Sequence, residues 1–583
     1  MRTVLSYYKK YIPFFIGVLI CLAGTALCDL ALPAFMSKII NEGIVANDMA
    51  CIRTNGLIMI VVAACCAVFN ISASLLMAIT SAKAARSIRK DLFMKVTRFS
   101  TAELESFSTA SLITRSTNDV QMVQQATVML RMLFFAPIMG VGSVFMALRT
   151  SVSLSWTVGL ALICVSGLLV FLFIVVFPRF RVMQQKLDRI NLIMKERLSG
   201  TLVIRAFRTE KHEEDRFDYA NEDLTKLYIF VNKAMAFMMP TMMLIMSGAG
   251  ILIVWAGAHY IDAGSLLVGD MLAYIQYAMH VIMSFMFITM IFVMLPRAAV
   301  SAKRIGEVLD TEISITDPEQ PIDMTNKNIE GKLEFKGVGF AYPDAKAKVL
   351  SDISFVAQPG KTTAIIGGTG SGKSSLISLI PRFYDVTEGQ ILLDGEDIRD
   401  YRQSDLRKCI GLVPQKGTLF SGTIETNLLY GDDDADEAAL KEAAEVAQAM
   451  DFINDKPNGM GEEVAQGGTN VSGGQKQRLC IARALAKKAQ IYIFDDSFSA
   501  LDFTTDKALR AALGQYAADS TVIIVAQRIN TIINADQIIV LDEGKMVGIG
   551  THRQLLQDCS VYKEIALSQL SEKELQEGGA YNG

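Results

Sequence analysis

Six apolar stretches constrain this chain before anything else in it: Tyr11–Met36, Leu57–Ala82, Val128–Leu148, Leu154–Phe177, Ala234–His259 and Met271–Leu295. Each reaches the roughly 20 residues that a helix needs to cross a bilayer, where backbone polar groups must be satisfied within the segment. One such stretch could be a buried soluble helix, but six in one half of a 583-residue chain predict an all-α membrane domain. Basic residues orient it. The second connection carries Lys83, Arg86, Arg89, Lys90, Lys95, Arg98 and Arg115, and the fourth is Lys/Arg-rich from Arg179 to Lys233, whereas Tyr260–Asp270 carries none. The positive-inside bias predicts a multi-pass protein of the cell membrane, in contact with its lipids, with the N- and C-termini and both long connections in the cytoplasm. The first span shows no cleavage pattern and is read as retained. Asp29, Arg131 and His280 interrupt the first, third and sixth spans. Arg131 is read as snorkelling to the interface, and Asp29 and His280 as candidates for a polar cavity. Met239, Met243, Met283 and Met286 belong to a Met/Phe-rich stripe, most of it lipid-facing or packing, that hints at bulky apolar cargo.

Past Pro296 the text changes. A charged linker with Pro318 and Pro321 leads to short β-like runs at Leu333–Phe335, Ile391–Leu393, Ile410–Val413, Ile491–Phe494, Val522–Val525 and Ile538–Leu541. Helical stretches such as Ala438–Met450 and Gly474–Lys487 alternate with them, which predicts an α/β domain on a parallel sheet, with ligands at the carboxyl ends of its strands. The expected division is therefore 1–300 for the membrane domain, 301–331 for the linker and 332–583 for the α/β domain. The run Gly367-Gly368-Thr369-Gly370-Ser371-Gly372-Lys373-Ser374 follows an apolar strand, and Ser375 continues into a helix. Its glycines let backbone N–H groups turn onto phosphates, Lys373 reaches the outer phosphates, and the Ser374 hydroxyl suits Mg2+. Asp495, closing a buried strand, supplies a second magnesium partner. Tyr342 could stack on adenine, and Gln415 follows the Ile410–Val413 strand. Ser472-Gly473-Gly474-Gln475 opens another helix, a second anion-binding terminus that makes sense if it closes on a nucleotide held by another subunit. A net charge of −4 implies no nucleic-acid partner, and the nine scattered cysteines, without a Cys-x-x-Cys, imply neither disulfides nor zinc.

With these motifs in order, the chain resembles an ABC exporter half-transporter, and the resemblance covers essentially all of it. It implies ATP and Mg2+ as cofactors. Tyr342 falls at the adenine-stacking position, Gly367–Ser374 at Walker A, Gln415 at the Q-loop (a Mg2+ neighbour), Ser472–Gln475 at the signature, Ile491–Asp495 at Walker B and Ser499–Asp502, with Asp502 its carboxylate, at the D-loop. Phe107–Arg115 resembles the first coupling helix and Glu196–Phe207 the region around the second.

Two positions depart from the family pattern. Asp496 stands where the family has Glu to activate water, and Gln527 where it has a switch His. The shorter carboxylate sits back from its target, and an amide cannot carry the positive charge of imidazole. ATP binding is expected to survive and hydrolysis at this site to be slow. With an intact signature, the expectation is a heterodimer with a second ABC half-transporter that carries the competent residues. Alternating-access export of hydrophobic or amphipathic small molecules, multidrug-type, is what the resemblance implies. A flippase for lipids or lipid-linked precursors and an ATP-gated channel are the alternatives.

Overall fold

Each of the six apolar stretches becomes one long helix in the computed structural model, which describes residues 2–324, 327–343, 345 and 347–570, side chains at 177, 181 and 289–293 excepted. The candidate spans are Ile12–Ile44, Met49–Thr97, Thr109–Thr150, Ser155–Ser199, Glu210–Asp262 and Val268–Ile288. At about 1.5 Å per residue, the 49-residue second helix and the 53-residue fifth helix run far beyond the roughly 30 Å of a hydrocarbon core. Their charged ends continue outside it, as the basic connections anticipated. Contacts divide the chain into two compact units, Met1–Thr97 with Thr109–Thr311, and Arg98–Ser108 with Glu312–Gly583. Residues 571–583 of the expected α/β domain lie outside the described residues.

In the first unit, the third and sixth helices pack along most of their length, and the first packs on the second. Pro33, Pro137, Pro240 and Pro296 all sit inside helices. Pro296 therefore does not end the sixth helix, which continues to Asp310, so the expected linker at 301–331 starts as helix. The reason is amphipathic: Ala298, Ala302, Ile305 and Val308, spaced at helical intervals, are buried. Arg131 does not simply snorkel. It is half-buried and donates to Asn70 and Ser74 of the second helix. Asp29 accepts a bond from the Cys66 thiol at 3.1 Å, and the buried Nδ1 of His280 has no hydrogen-bond partner among the described residues.

The second unit contains a six-stranded sheet and a four-stranded one. Its strands are β1 (Leu333–Phe340), β2 (Leu350–Ala357), β3 (Thr362–Gly367), β4 (Glu388–Leu393), β5 (Glu396–Asp397), β6 (Ile410–Val413), β7 (Gly422–Thr423), β8 (Glu463–Val464), β9 (Ile491–Asp495), β10 (Thr521–Val525), β11 (Gln537–Asp542) and β12 (Lys545–Gly550). The large sheet runs β12-β11-β3-β10-β9-β6, parallel except for β12. The runs at 333–335 and 391–393 join a separate antiparallel sheet, β2-β1-β4-β5, rather than the parallel one. Parallel strands here are buried on both faces. In β9, Tyr492 and Phe494 enter one hydrophobic cluster with the helix Gly473–Ala486, while Ile491 and Ile493 enter the other with the helix Lys373–Leu379. The register pairs Val525 with both Ile365 and Asp495, so the turns that follow β3, β9 and β10 emerge at one edge. The expected helix Ala438–Met450 is split into Glu437–Val446 and Met450–Asn454, with Gln448 at φ +56° in the break.

The segment that joins this unit from the first half lies upstream of the expected Phe107–Arg115. It is Arg98–Ser108, with a short helix Thr101–Ser106; the helix Thr109–Thr114 already belongs to the first unit. Ser100 and Glu103 form a capping box that starts it, the Glu103 carboxylate accepting from Ser100 N at 2.6 Å and from Ser314 N at 3.1 Å. Burial pushes the Glu103 carboxyl up, yet these hydrogen bonds hold it below the usual range.

Candidate functional site

The loop after β3 is shaped by close approach. A Cβ on Gly367 would stand 2.1 Å from the Leu541 carbonyl oxygen, and one on Gly372 (φ +96°) would stand 2.7 Å from the Leu350 side chain. On the other side, Gly368 and Gly370 face open space. Lys373 folds back over the loop, donating to the Gly367 and Gly368 carbonyls at 2.8 and 2.7 Å. Burial lowers its pKa, and the Asp495 and Asp496 carboxylates oppose that shift. Ser371 and Ser375 are buried, and Thr369 and Ser374 lie at the surface of the cradle. Tyr342 packs against the start of the helix that follows, its hydroxyl 2.9 Å from the Ser375 hydroxyl and its ring edge-on to Tyr384 at 5.3 Å.

Across the sheet edge, burial and the neighbouring Asp496 raise the Asp495 carboxyl, while Ser374 and Lys373 pull it down. Asp496 follows in a left-handed conformation, φ +48°, its N–H bonded to the Val525 carbonyl at 2.9 Å. Its Oδ2 accepts from Gln527 Nε2 at 3.0 Å and, more weakly, from Gln415 Nε2 at 3.4 Å. Burial raises its pKa as well, and Gln415, Ser499, Arg528 and Lys373 hold it back. A cavity of about 610 Å³ opens beside it, lined by Asp496, Ser499, Gln527, Arg528, Asn530 and Gln569. The structure thus brings together Lys373, Ser374, Gln415, Asp495, Asp496 and Gln527.

It does not bring Ser472–Gln475 to them. Among the described residues, no hydrogen bond or ion pair links that run to the cradle. Ser472 caps the helix Gly473–Ala486, accepting from Gln475 N at 3.3 Å while the Gln475 side chain accepts from Ser472 N at 3.0 Å. A Cβ on Gly473 would meet nothing within 4 Å, and one on Gly474 only the Ala500 carbonyl at 3.5 Å. The terminus is built but faces outward. Asp502 caps the next helix, accepting from Thr505 N at 2.9 Å.

Phosphates and Mg2+ fit this chemistry. The open glycine faces leave room for anion oxygens, a cation stands ready in Lys373, and Ser374 with Asp495 offers the hard oxygens that magnesium prefers. Sequence reasoning missed Asn530 and Gln569, and it placed Ser499 in the D-loop and Arg528 in the switch loop without giving either a role beside Asp496.

Comparison with known proteins places this geometry among relatives. The ABC transporter transmembrane region matches residues 15–285, and the ABC transporter domain matches residues 350–499. An uncharacterized ABC transporter ATP-binding protein of Mycobacterium tuberculosis is 42% identical over 94% of each chain. An ATP-dependent lipid A-core flippase of Pseudomonas putida is 31% identical, over 95% of this chain and 93% of its own. Among solved structures, a bacterial Atm1-family ABC exporter with ATP bound superposes with a TM-score of 0.76 at 25% identity, covering 97% of this chain and 99% of that one.

Proposed function

Since the chain belongs to the ABC transporters, as an exporter half-transporter with its membrane region and ATPase domain fused and ATP with Mg2+ as cofactors, we propose that it exports hydrophobic or amphipathic small molecules across the cell membrane as one half of a heterodimer. Both termini lie in the cytoplasm under this reading, following the basic connections. The Gly367–Ser374 loop holds ATP by its backbone amides. Lys373 leaves the Gly367 and Gly368 carbonyls for the outer phosphates, and Tyr342 meets the adenine. Ser374, Asp495 and Gln415 hold Mg2+, which when bound neutralises phosphate charge. Ser472–Gln475 closes on the nucleotide held by the other subunit, with Asp502 at that interface. Two bound ATP molecules draw the ATPase domains together, and the Thr101–Ser106 segment, continuous with the second and third spans, passes closure to the membrane. The energy of the switch is the difference in ATP affinity between open and closed states.

One observation carries the division of labour: Gln527 Nε2 sits 3.0 Å from Asp496 Oδ2. The carboxylate where the family activates water is one methylene short and already engaged by an amide. A misplacement of about 1 Å at a reacting centre lowers rate on the order of 100-fold. This site therefore binds ATP and turns it over slowly, and the partner's site, completed by Ser472–Gln475, is the faster one. ATP turnover by the purified chain, measured alone and with the partner, tests the reading. Rapid hydrolysis by the chain alone overturns it.

A lipid or lipid-linked cargo is a second reading. Arg131, bonded to Asn70 and Ser74, adjoins a shallow, largely apolar groove along one face of the second span that those two residues help line with Ala67, Ile71, Leu75 and Ala78. Such a pairing suits an anionic headgroup beside acyl chains. Proteoliposomes separate the readings: ATP-dependent inward accumulation of a soluble amphiphile in inverted vesicles supports the first, and movement of a headgroup-labelled lipid without it supports the second. A channel concentrates neither.

A further inference from the structure

The switch loop between β10 and the helix Ile529–Ile532 is fixed at its two ends by different means. Ala526 N is bonded to the Ile365 carbonyl at 3.1 Å, so the loop leaves the sheet in register. Ile529 and Ile532 are fully buried, and Arg510 donates to the Asn530 carbonyl at 3.1 Å, so the far end is held by the core. Between them, Gln527 and Arg528 are exposed. What spans these two residues is a side chain some 40 positions further on. Gln569 Nε2 donates to the Gln527 carbonyl at 2.8 Å, and its Oε1 accepts from Ile529 N at 2.9 Å. One amide thus satisfies both backbone groups that flank Arg528, as a neighbouring strand would.

Gln569 can act as a clamp because its own base is rigid. It ends the turn that follows the helix Ser560–Leu567, with its N–H bonded to the Ala566 carbonyl at 3.1 Å. That helix is anchored by Ala566 and Tyr562, both fully buried, and the Tyr562 hydroxyl lies 2.6 Å from His552 Nδ1. We propose that Gln569 is a positioning residue for the nucleotide site: it holds the loop so that Gln527 reaches Asp496 and Arg528 keeps its charge beside that carboxylate. The residue acts through the loop. It lines the same cavity as Asp496, Gln527 and Arg528, and Asp496 is one of the two carboxylates whose charge acts on Lys373, the residue read as reaching the outermost phosphate. The clamp therefore matters for distinguishing ATP from ADP, not for gripping the nucleotide as a whole.

This rests on the reading of the site as an ATP site, and the test separates the two. The full-length transporter, purified from membranes, is photolabelled on this chain with 8-azido-ATP and Mg2+, and ATP and ADP compete for the label. This readout needs no hydrolysis. Gln569→Ala is expected to lower the preference for ATP over ADP by about 3- to 10-fold, the scale of one or two lost net hydrogen bonds. ADP competition stays unchanged, and the protein remains folded with a melting temperature lowered by no more than the loss of two hydrogen bonds allows. Gln569→Glu falls with it, because a carboxylate cannot donate to the Gln527 carbonyl. In a Gln527→Ala/Arg528→Ala background, Gln569→Ala adds nothing further, since it acts through those two side chains. An unchanged ATP preference in Gln569→Ala, or an equal further loss in the Gln527→Ala/Arg528→Ala background, overturns the proposal. Failure of the wild-type chain to label at all overturns the ATP reading beneath it.

Discussion

At Asp496 the chain turns left-handed directly after β9, and the carboxylate meets two side-chain amides rather than open water. The pair Asp496→Glu with Gln527→His lengthens the carboxylate and restores an imidazole that can take up a proton. ATP turnover of the purified transporter is expected to rise about 10- to 100-fold. A flat result would show that another step limits this site. Asp495 yields a prediction of opposite sign in acid and base. Burial and Asp496 raise its carboxyl, so the folded chain keeps that proton at a higher pH than the unfolded chain does. Stability of the nucleotide-free protein therefore falls as pH rises through the window between the ordinary carboxylate value and the raised one. Asp495→Asn, which mimics the protonated form, should melt above wild type at pH 8 and level with it in acid. Mg2+-dependent nucleotide labelling of wild type should run the other way, weakening as pH drops and the carboxylate loses its charge. Melting curves and photolabelling taken from the ordinary carboxylate range up to pH 8 check both halves.

Helices and strands explain which parts of this arrangement were legible in the sequence. Gly367–Ser374, Ser472–Gln475 and Asp495 are local patterns, each written within one strand, turn or helix start, and the structure puts them at such places. Gln569 was invisible because its partners, Gln527 and Ile529, are distant in sequence and glutamine at a helix end carries no period. Pro296 misled for the opposite reason: a local helix-breaking signal was outweighed by the buried stripe Ala298, Ala302, Ile305 and Val308. The helix Thr101–Ser106 has its own local signal in Ser100-x-x-Glu103, a capping box that lies upstream of the Phe107–Arg115 resemblance. Glu103 serves both its own helix and the Ser314 amide. Glu103→Ala removes the acceptor from the half-buried Ser100 N–H and the exposed Ser314 N–H, which water can then meet in part, and is expected to destabilise the docking of Thr101–Ser106 by about 1–2 kcal/mol, the scale of two net hydrogen bonds. Protease cleavage within 98–108 should quicken, while ATP photolabelling persists. Loss of labelling together with cleavage would mean instead that the whole ATPase domain had unfolded.

At the scale of the whole molecule, the proposed function gives one chain two half-sites with different owners, and that asymmetry can be read from paired substitutions. Under that proposal the cradle serves this chain's own ATP. The terminus at Ser472–Gln475 is capped, intact and turned away from that cradle, with Gly473 facing open space. Gly473→Asp can therefore be accommodated within this chain, because an added Cβ meets no atom within 4 Å. Its harm falls on whatever anion approaches from outside, where a carboxylate would oppose phosphate at a distance that favours repulsion over screening. Lys373→Ala does the reverse: it removes the cation from this chain's cradle and leaves the outward terminus untouched. In a heterodimer with a competent partner, Gly473→Asp is expected to reduce ATP turnover at least 100-fold, and Lys373→Ala only a few-fold, by weakening closure rather than chemistry. In a homodimer, each substitution enters both sites, and the two fall together. Turnover of the purified complex with either change therefore decides which assembly this chain forms, since the slow chemistry proposed for Asp496 allows Lys373 to be spared only if another site is hydrolysing.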